Sequence, residues 1–166
     1  MGMIRNFARS VVYGNQLTAL LRVLCGALFL YSGFFKVLDM EGFGRVVDMY
    51  AMLPSALVPY VAIVLPSLEL ILGALLAAGY RIRAASCLSM LLMVVFTVAI
   101  MVNIARGANF ECGCFELSRF GIPERIGWPL VIRDAALFAV FGLVLQARRH
   151  LFSLEYYLEK RTLSTL

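Results

Sequence analysis

A chain of 166 residues with 62% hydrophobic side chains, 15% charged ones and a mean hydropathy of +0.88 is too apolar for a soluble domain. Its formal charge of +5 includes no basic run interleaved with aromatic residues, which argues against nucleic acid as a partner and assigns the charge to topology and anionic lipid. The length allows a single domain over residues 1–166, and the expected fold is an all-α membrane protein: a four-transmembrane-helix bundle with short amphipathic surface helices.

Residues 1–15 are polar and basic, yet Ile4, Phe7, Ala8, Val11 and Val12 fall on one helical face with Arg5 and Arg9 close to the other side. That spacing predicts an interfacial helix on the membrane surface. The apolar run that follows is too long for a signal-peptide core and no small-x-small site closes it, so the segment is expected in the mature protein. A first span is predicted over about 17–37, near the ~20 residues needed to cross a bilayer. Residues 40–54 carry Phe43, Val46, Val47 and Tyr50 at helical spacing among Glu41, Arg45 and Asp48, which predicts a short surface helix. A second span follows over about 56–79. Pro66 lies inside it, three residues before Glu69, where a missing hydrogen bond to the Ala62 carbonyl predicts a kink. A basic turn at residues 80–83 leads to a third span over about 84–104. The chain then becomes polar over 106–127 and contains Cys112-Gly113-Cys114-Phe115. A fourth span over about 128–145 precedes a tail, 146–166, whose Leu151, Leu154 and Leu158 predict another surface helix.

Basic loops are retained in the cytoplasm, and the Lys and Arg residues divide unevenly. Arg5, Arg9, Arg81, Arg83, Arg148, Arg149, Lys160 and Arg161 fall on one side; Lys36, Arg45, Arg106, Arg119 and Arg125 fall on the other. Both termini are therefore expected inside and the cysteine loop outside, which in a bacterium is the periplasmic face, where disulfides persist.

That topology sorts the polar residues of the spans by depth. Arg22 near the inner end of the first span and Glu69 somewhat inside the midpoint of the second are expected to form an ion pair, because a lone charge at the bilayer centre costs roughly 2.5–3.5 kcal/mol. Such a pair either fastens two helices or serves proton movement or ligand binding. Lys36, Asn103, Arg106, Arg133 and Asp134 cluster near the outer ends, on the side of Cys112 and Cys114. Arg133 and Asp134 are adjacent and point about 100° apart, so separate partners are expected for them. A cation here would favour thiolate; the alternative is that these side chains snorkel to the interface.

Zinc takes about four Cys, His or carboxylate ligands. The sole histidine, His150, is expected on the opposite face, and Cys25 and Cys87 lie in the inner half as small apolar fillers, so no metal site is expected. A disulfide between Cys112 and Cys114 would close a small ring and need a turn at the middle residue, which Gly113 permits. So small a ring restrains hardly any chain, which suits a redox switch better than a staple; two unconnected thiols or a structural bond are the alternatives.

Arg22, Gly26, Ser32-Gly33-Phe34, Lys36, residues 50–54, Pro66, Glu69, Gly73, Asn103, Gly107 and above all Cys112-Gly113-Cys114-Phe115 resemble the methylamine-utilisation MauE family, within the wider DoxX-like group. The resemblance covers roughly residues 17–145, and Glu116 departs from it where that family more often continues with glycine. It implies a bacterial inner-membrane protein that acts beside thioredoxin-like proteins in forming disulfides in periplasmic partners.

The leading expectation is thus thiol-disulfide exchange at Cys112 and Cys114 with a periplasmic thiol protein. Electrons would pass to a membrane acceptor, for which a quinone is the candidate, with Lys36, Arg106 or Arg133 tuning the thiolate and Glu69 with Arg22 serving proton balance. A membrane-anchoring or assembly subunit of a larger complex is the alternative from another class. A small transporter is a third, supported by the buried charges alone.

Overall fold

The computed structural model describes the backbone of residues 2–113 and 125–146, and side chains from Gln16 onward within those ranges. Cys114 and the expected tail helix lie outside the described residues. Five α-helices account for most of the rest: α1 (Gly2–Leu38), α2 (Met40–Met49), α3 (Val58–Ala78), α4 (Ile82–Ala105) and α5 (Trp128–Gln146), with a 3-10 turn at Ser55–Leu57 ahead of α3. Among the described residues, four stretches are long and apolar enough to cross a membrane: Gln16–Leu38, Ser55–Ala78, Ile82–Ala105 and Trp128–Gln146. These agree with the expected spans to within one or two residues. The expected surface helix at the N-terminus is continuous with the first span: α1 runs without a break through Gly14 and Asn15, although both are poor helix formers.

The spans close into a ring in which α1 packs on α3, α3 on α4, α4 on α5 and α5 back on α1. Leu72, Leu76, Ile100, Phe141 and Val144 point into it and are buried, while Ile63, Ile71, Leu91, Val95 and Ile132 face outward and are exposed, as a lipid solvent requires. Across α1 and α5, Phe29 meets Phe141 edge to face with ring centroids 5.7 Å apart. Tyr60 and Trp128, at the starts of α3 and α5, are exposed at the same end of the bundle, where amphipathic rings suit a membrane–water boundary.

The α1/α3 seam is the tightest. A Cβ on Gly26 would lie 2.8 Å from the Ala77 nitrogen, one on Gly73 2.8 Å from the Gly26 carbonyl oxygen, and one on Gly33 2.8 Å from the Pro66 carbonyl oxygen. Only glycine allows this approach. The contacts also fix an antiparallel register in which Glu69 stands level with Ser32. α3 continues helically through Pro66 and ends where Gly79 adopts φ 71°, with the Tyr80 N–H on the Leu75 carbonyl. That reversal leads into α4.

Candidate functional site

The site is organised by α2, the short helix over the end of the bundle where α1 stops and α3 starts. Asp39 starts it by accepting a hydrogen bond from the Gly42 N–H at 2.9 Å. Phe43, Val46 and Tyr50 share its inner face by helical spacing; Phe43 and Tyr50 are buried. At its far end Ala51 takes a positive φ of 48°, and the carbonyls left without helical partners are met from α4 and the loop after it. Asn103 Nδ2 donates to the Tyr50 carbonyl at 3.3 Å, and Arg106 Nη1 donates to the Tyr50 and Ala51 carbonyls at 3.4 and 3.2 Å. Both residues belong to the expected outer cluster. Their task is to fix the position of Tyr50.

Tyr50 in turn reaches the cysteine loop. Its hydroxyl lies 3.0 Å from Cys112 Sγ and 3.3 Å from the Cys112 carbonyl oxygen, and its ring meets Phe110 edge to face. Cys112 is 1% exposed and part of the main apolar core, and it is disulfide-bonded. Cys25 and Cys87 are free thiols; Cys25 fills the core as expected, whereas Cys87 is exposed. Gly113 takes φ 62° and sits against Val46, so the turn between the cysteines uses the left-handed conformation that glycine makes accessible. The base of the loop is closed by the Ile126 N–H on the Phe110 carbonyl at 3.0 Å and by an antiparallel bridge between Glu111 and Arg125.

Beneath α2 lies an ion pair. Lys36 Nζ is 2.6 and 2.9 Å from the two Glu69 oxygens, and Ser32 Oγ donates to Oε2 at 2.9 Å. All three residues are buried, Lys36 and Ser32 completely. The Phe43 and Phe96 rings stand 5.0 and 5.4 Å from Nζ, so aromatic faces also meet the ammonium. The expected Arg22–Glu69 pair is therefore not formed. The helix register explains why: Arg22 is ten residues from the level of Glu69, about 15 Å along the axis, whereas Lys36 is one turn from it. Arg22 is buried lower in the bundle, and Lys36 does not snorkel.

A second correction concerns Arg133 and Asp134, which bind each other although adjacent positions on a helix were expected to make a mutual contact poor. Arg133 Nε and Nη2 lie 3.1 and 2.9 Å from Asp134 Oδ1, and Thr97 of α4 stands 3.4 Å from Oδ2. The arginine side chain is long enough to fold around its own helix, and a buried carboxylate in an apolar bundle gains more from that fold than rotamer freedom would return.

Sequence reasoning singled out Cys112, Lys36, Glu69, Asn103 and Arg106 and missed the parts that join them: Ser32 on the carboxylate, Phe43 and Phe96 around the ammonium, and Tyr50 on the sulfur. The signal for Tyr50 was present, since a tyrosine at a buried position of an amphipathic helix needs a hydroxyl partner.

The sequence profile described as methylamine utilisation protein MauE matches residues 14–147, which include all four spans and Cys112-Gly113-Cys114-Phe115. The chain belongs to the MauE family. It is 38% identical over 121 residues to the methylamine utilization protein MauE of Paracoccus versutus, covering 72% of this chain and 63% of that protein. With the MauE of Methylorubrum extorquens it shares 37% identity over 110 residues, 65% of this chain and 58% of the relative. With that of Methylophilus methylotrophus it shares 39% over 104 residues, 61% and 53% of the two chains. The chain thus matches less than two thirds of the length of each of these MauE proteins. No solved structure matches it. Membership of the MauE family and four spanning helices make it a multi-pass membrane protein.

Proposed function

We propose that this MauE-family protein exchanges dithiol and disulfide at Cys112 and Cys114 with a thioredoxin-like or substrate thiol protein, as part of a methylamine-utilisation system. The observation that carries the reading is a disulfide-bonded Cys112 whose sulfur is met by a buried hydroxyl. Of the four cysteines, Cys25 and Cys87 are free, and the proposal takes Cys114 as the second sulfur. A bond between residues two apart restrains almost no chain, so stabilisation gives little reason for it. The uneven distribution of Lys and Arg supports an inner-membrane protein with both termini cytoplasmic and the cysteine loop periplasmic.

Among the cations first considered for tuning the thiolate, Lys36 and Arg133 each face a carboxylate. Arg106, whose guanidinium meets the Tyr50 and Ala51 carbonyls at the end of α2, reaches the cysteine through Tyr50. A membrane quinone is the class of acceptor that would take two electrons and two protons from the reduced pair, and Glu69 with Lys36 is the buried group suited to balance charge in that step.

An equilibrium titration of the detergent-solubilised protein against glutathione and dithiothreitol tests this. Exchange predicts a reversible two-electron midpoint between about −300 and −120 mV that disappears in Cys112→Ser and in Cys114→Ser. A midpoint below about −300 mV marks a structural bond and contradicts the proposal.

A further inference from the structure

Resting on that reading of the cysteine pair, we infer that the two sulfurs are inequivalent: Cys114 accepts the incoming thiolate, Cys112 leaves, and the Tyr50 hydroxyl stabilises the charge on the leaving sulfur. Two independent observations carry this. Cys112 is 1% exposed within the apolar core, so a thiol from another molecule has no line of approach to its Sγ. The Tyr50 hydroxyl is already 3.0 Å from that Sγ.

Exchange is an in-line displacement. The attacking thiolate gives its electron pair to Cys114 Sγ, the bond to Cys112 Sγ breaks, and that bond's pair remains on Cys112 as thiolate. A second thiol of the reductant then attacks its own sulfur in the mixed disulfide and releases Cys114. The reductant is oxidised to a disulfide, the cysteine pair gains two electrons, and the two thiol protons of the reductant end on the cysteines or in solvent. Charge develops on Cys112 in the first step, and Tyr50 acts there.

The hydroxyl is placed to act more strongly on the transition state than on the resting state. A disulfide sulfur is a weak acceptor, and the Cys112 carbonyl oxygen competes for the same proton at 3.3 Å. A thiolate is a strong acceptor and takes that proton from the carbonyl. The interaction therefore strengthens as the S–S bond breaks, which is the condition for lowering the barrier. Asn103 and Arg106 act through Tyr50 by fixing its carbonyl, and the Phe110 ring holds the phenol from the side. These are positioning residues; Tyr50 touches the reacting atom.

The test uses the full chain in detergent and dithiothreitol as the reductant. Tyr50→Phe keeps the ring and its packing and removes the hydroxyl. It is expected to slow reduction by about ten- to a hundredfold, in the range of a lost charge-stabilising donor. In the Cys114→Ser background, the pH midpoint at which the Cys112 thiolate forms, read as ultraviolet thiolate absorbance against the Cys112→Ser/Cys114→Ser double variant, is expected to rise when Tyr50→Phe is added, a change that loosened packing alone would not give. A further arm is independent of any tyrosine variant. With 5,5′-dithiobis(2-nitrobenzoate), Cys112→Ser should form the mixed disulfide through Cys114 at least tenfold faster than Cys114→Ser does through Cys112. Equal trapping at the two cysteines, or wild-type rates and midpoints in Tyr50→Phe, overturns the inference and leaves exchange itself intact. A wild-type protein that dithiothreitol does not reduce overturns both.

Discussion

Two polar centres are built into the α2 end of this bundle, and they differ in how their charges are held. At Lys36–Glu69 the opposite charges lie on different helices, a serine satisfies the carboxylate further, and two aromatic rings meet the ammonium. At Tyr50–Cys112 the groups are neutral in the oxidised state, and the hydroxyl faces an atom that becomes charged only if the S–S bond breaks. α2 separates the two: Phe43 covers the first, while Val46 and Tyr50 support the second. The difference teaches that a charged residue within a span is not by itself the reactive one. The charged centre is closed, and the neutral one is prepared for a charge.

The sharpest way to break this comparison is to remove one member of the closed centre. Lys36→Met or Glu69→Gln alone leaves an unmatched buried group, and Lys36→Met is expected to lower stability by about 3–5 kcal/mol, read as thermal or denaturant unfolding in detergent. The double variant Lys36→Met/Glu69→Leu should recover most of that loss. A Lys36→Met protein as stable as wild type would show that the pair does not hold α1 to α3. Next in size is the seam below it. Gly73→Val drives a side chain into the Gly26 carbonyl and should destabilise by about 1–3 kcal/mol. Asn103→Ala removes a buried donor from the Tyr50 carbonyl and should cost about 1 kcal/mol while slowing exchange through misplacement of Tyr50. Arg106→Ala, an exposed partner of the same carbonyl, should change stability by less than about 1 kcal/mol. A larger effect on exchange than on stability in the last two would place Asn103 and Arg106 with the open centre.

The four spans were legible because lipid imposes one demand along the whole chain: about twenty apolar residues per crossing with every backbone group satisfied internally. The surface helix at 40–54 was legible from Phe43, Val46 and Tyr50, although the helix itself stops at Met49. The partner of Glu69 was not. Depth alone placed Arg22 within reach, and the choice of Lys36 depends on a register set by Gly26, Gly33 and Gly73, whose close contacts no hydropathy pattern encodes. The mutual contact of Arg133 and Asp134 was missed for a different reason. Helical geometry separates adjacent side chains by about 100°, but a long flexible guanidinium in an apolar setting returns to the nearest carboxylate. The cysteine pair stood out by spacing, while its tyrosine lies 62 residues away in sequence and is brought near by the packing of α2 against the loop.

The central claim, that Cys112 and Cys114 change redox state as the protein works, is tested most directly by trapping thiols in intact cells. Cells grown with and without methylamine are quenched in acid, alkylated with a maleimide of resolvable mass, and the chain is separated by its number of modified cysteines. Cys112 and Cys114 are expected as a mixture of oxidised and reduced forms whose ratio shifts between the two conditions, over a constant background from Cys25 and Cys87. A pair fixed in one redox state under every condition would contradict the claim and leave the bond a structural feature of the loop.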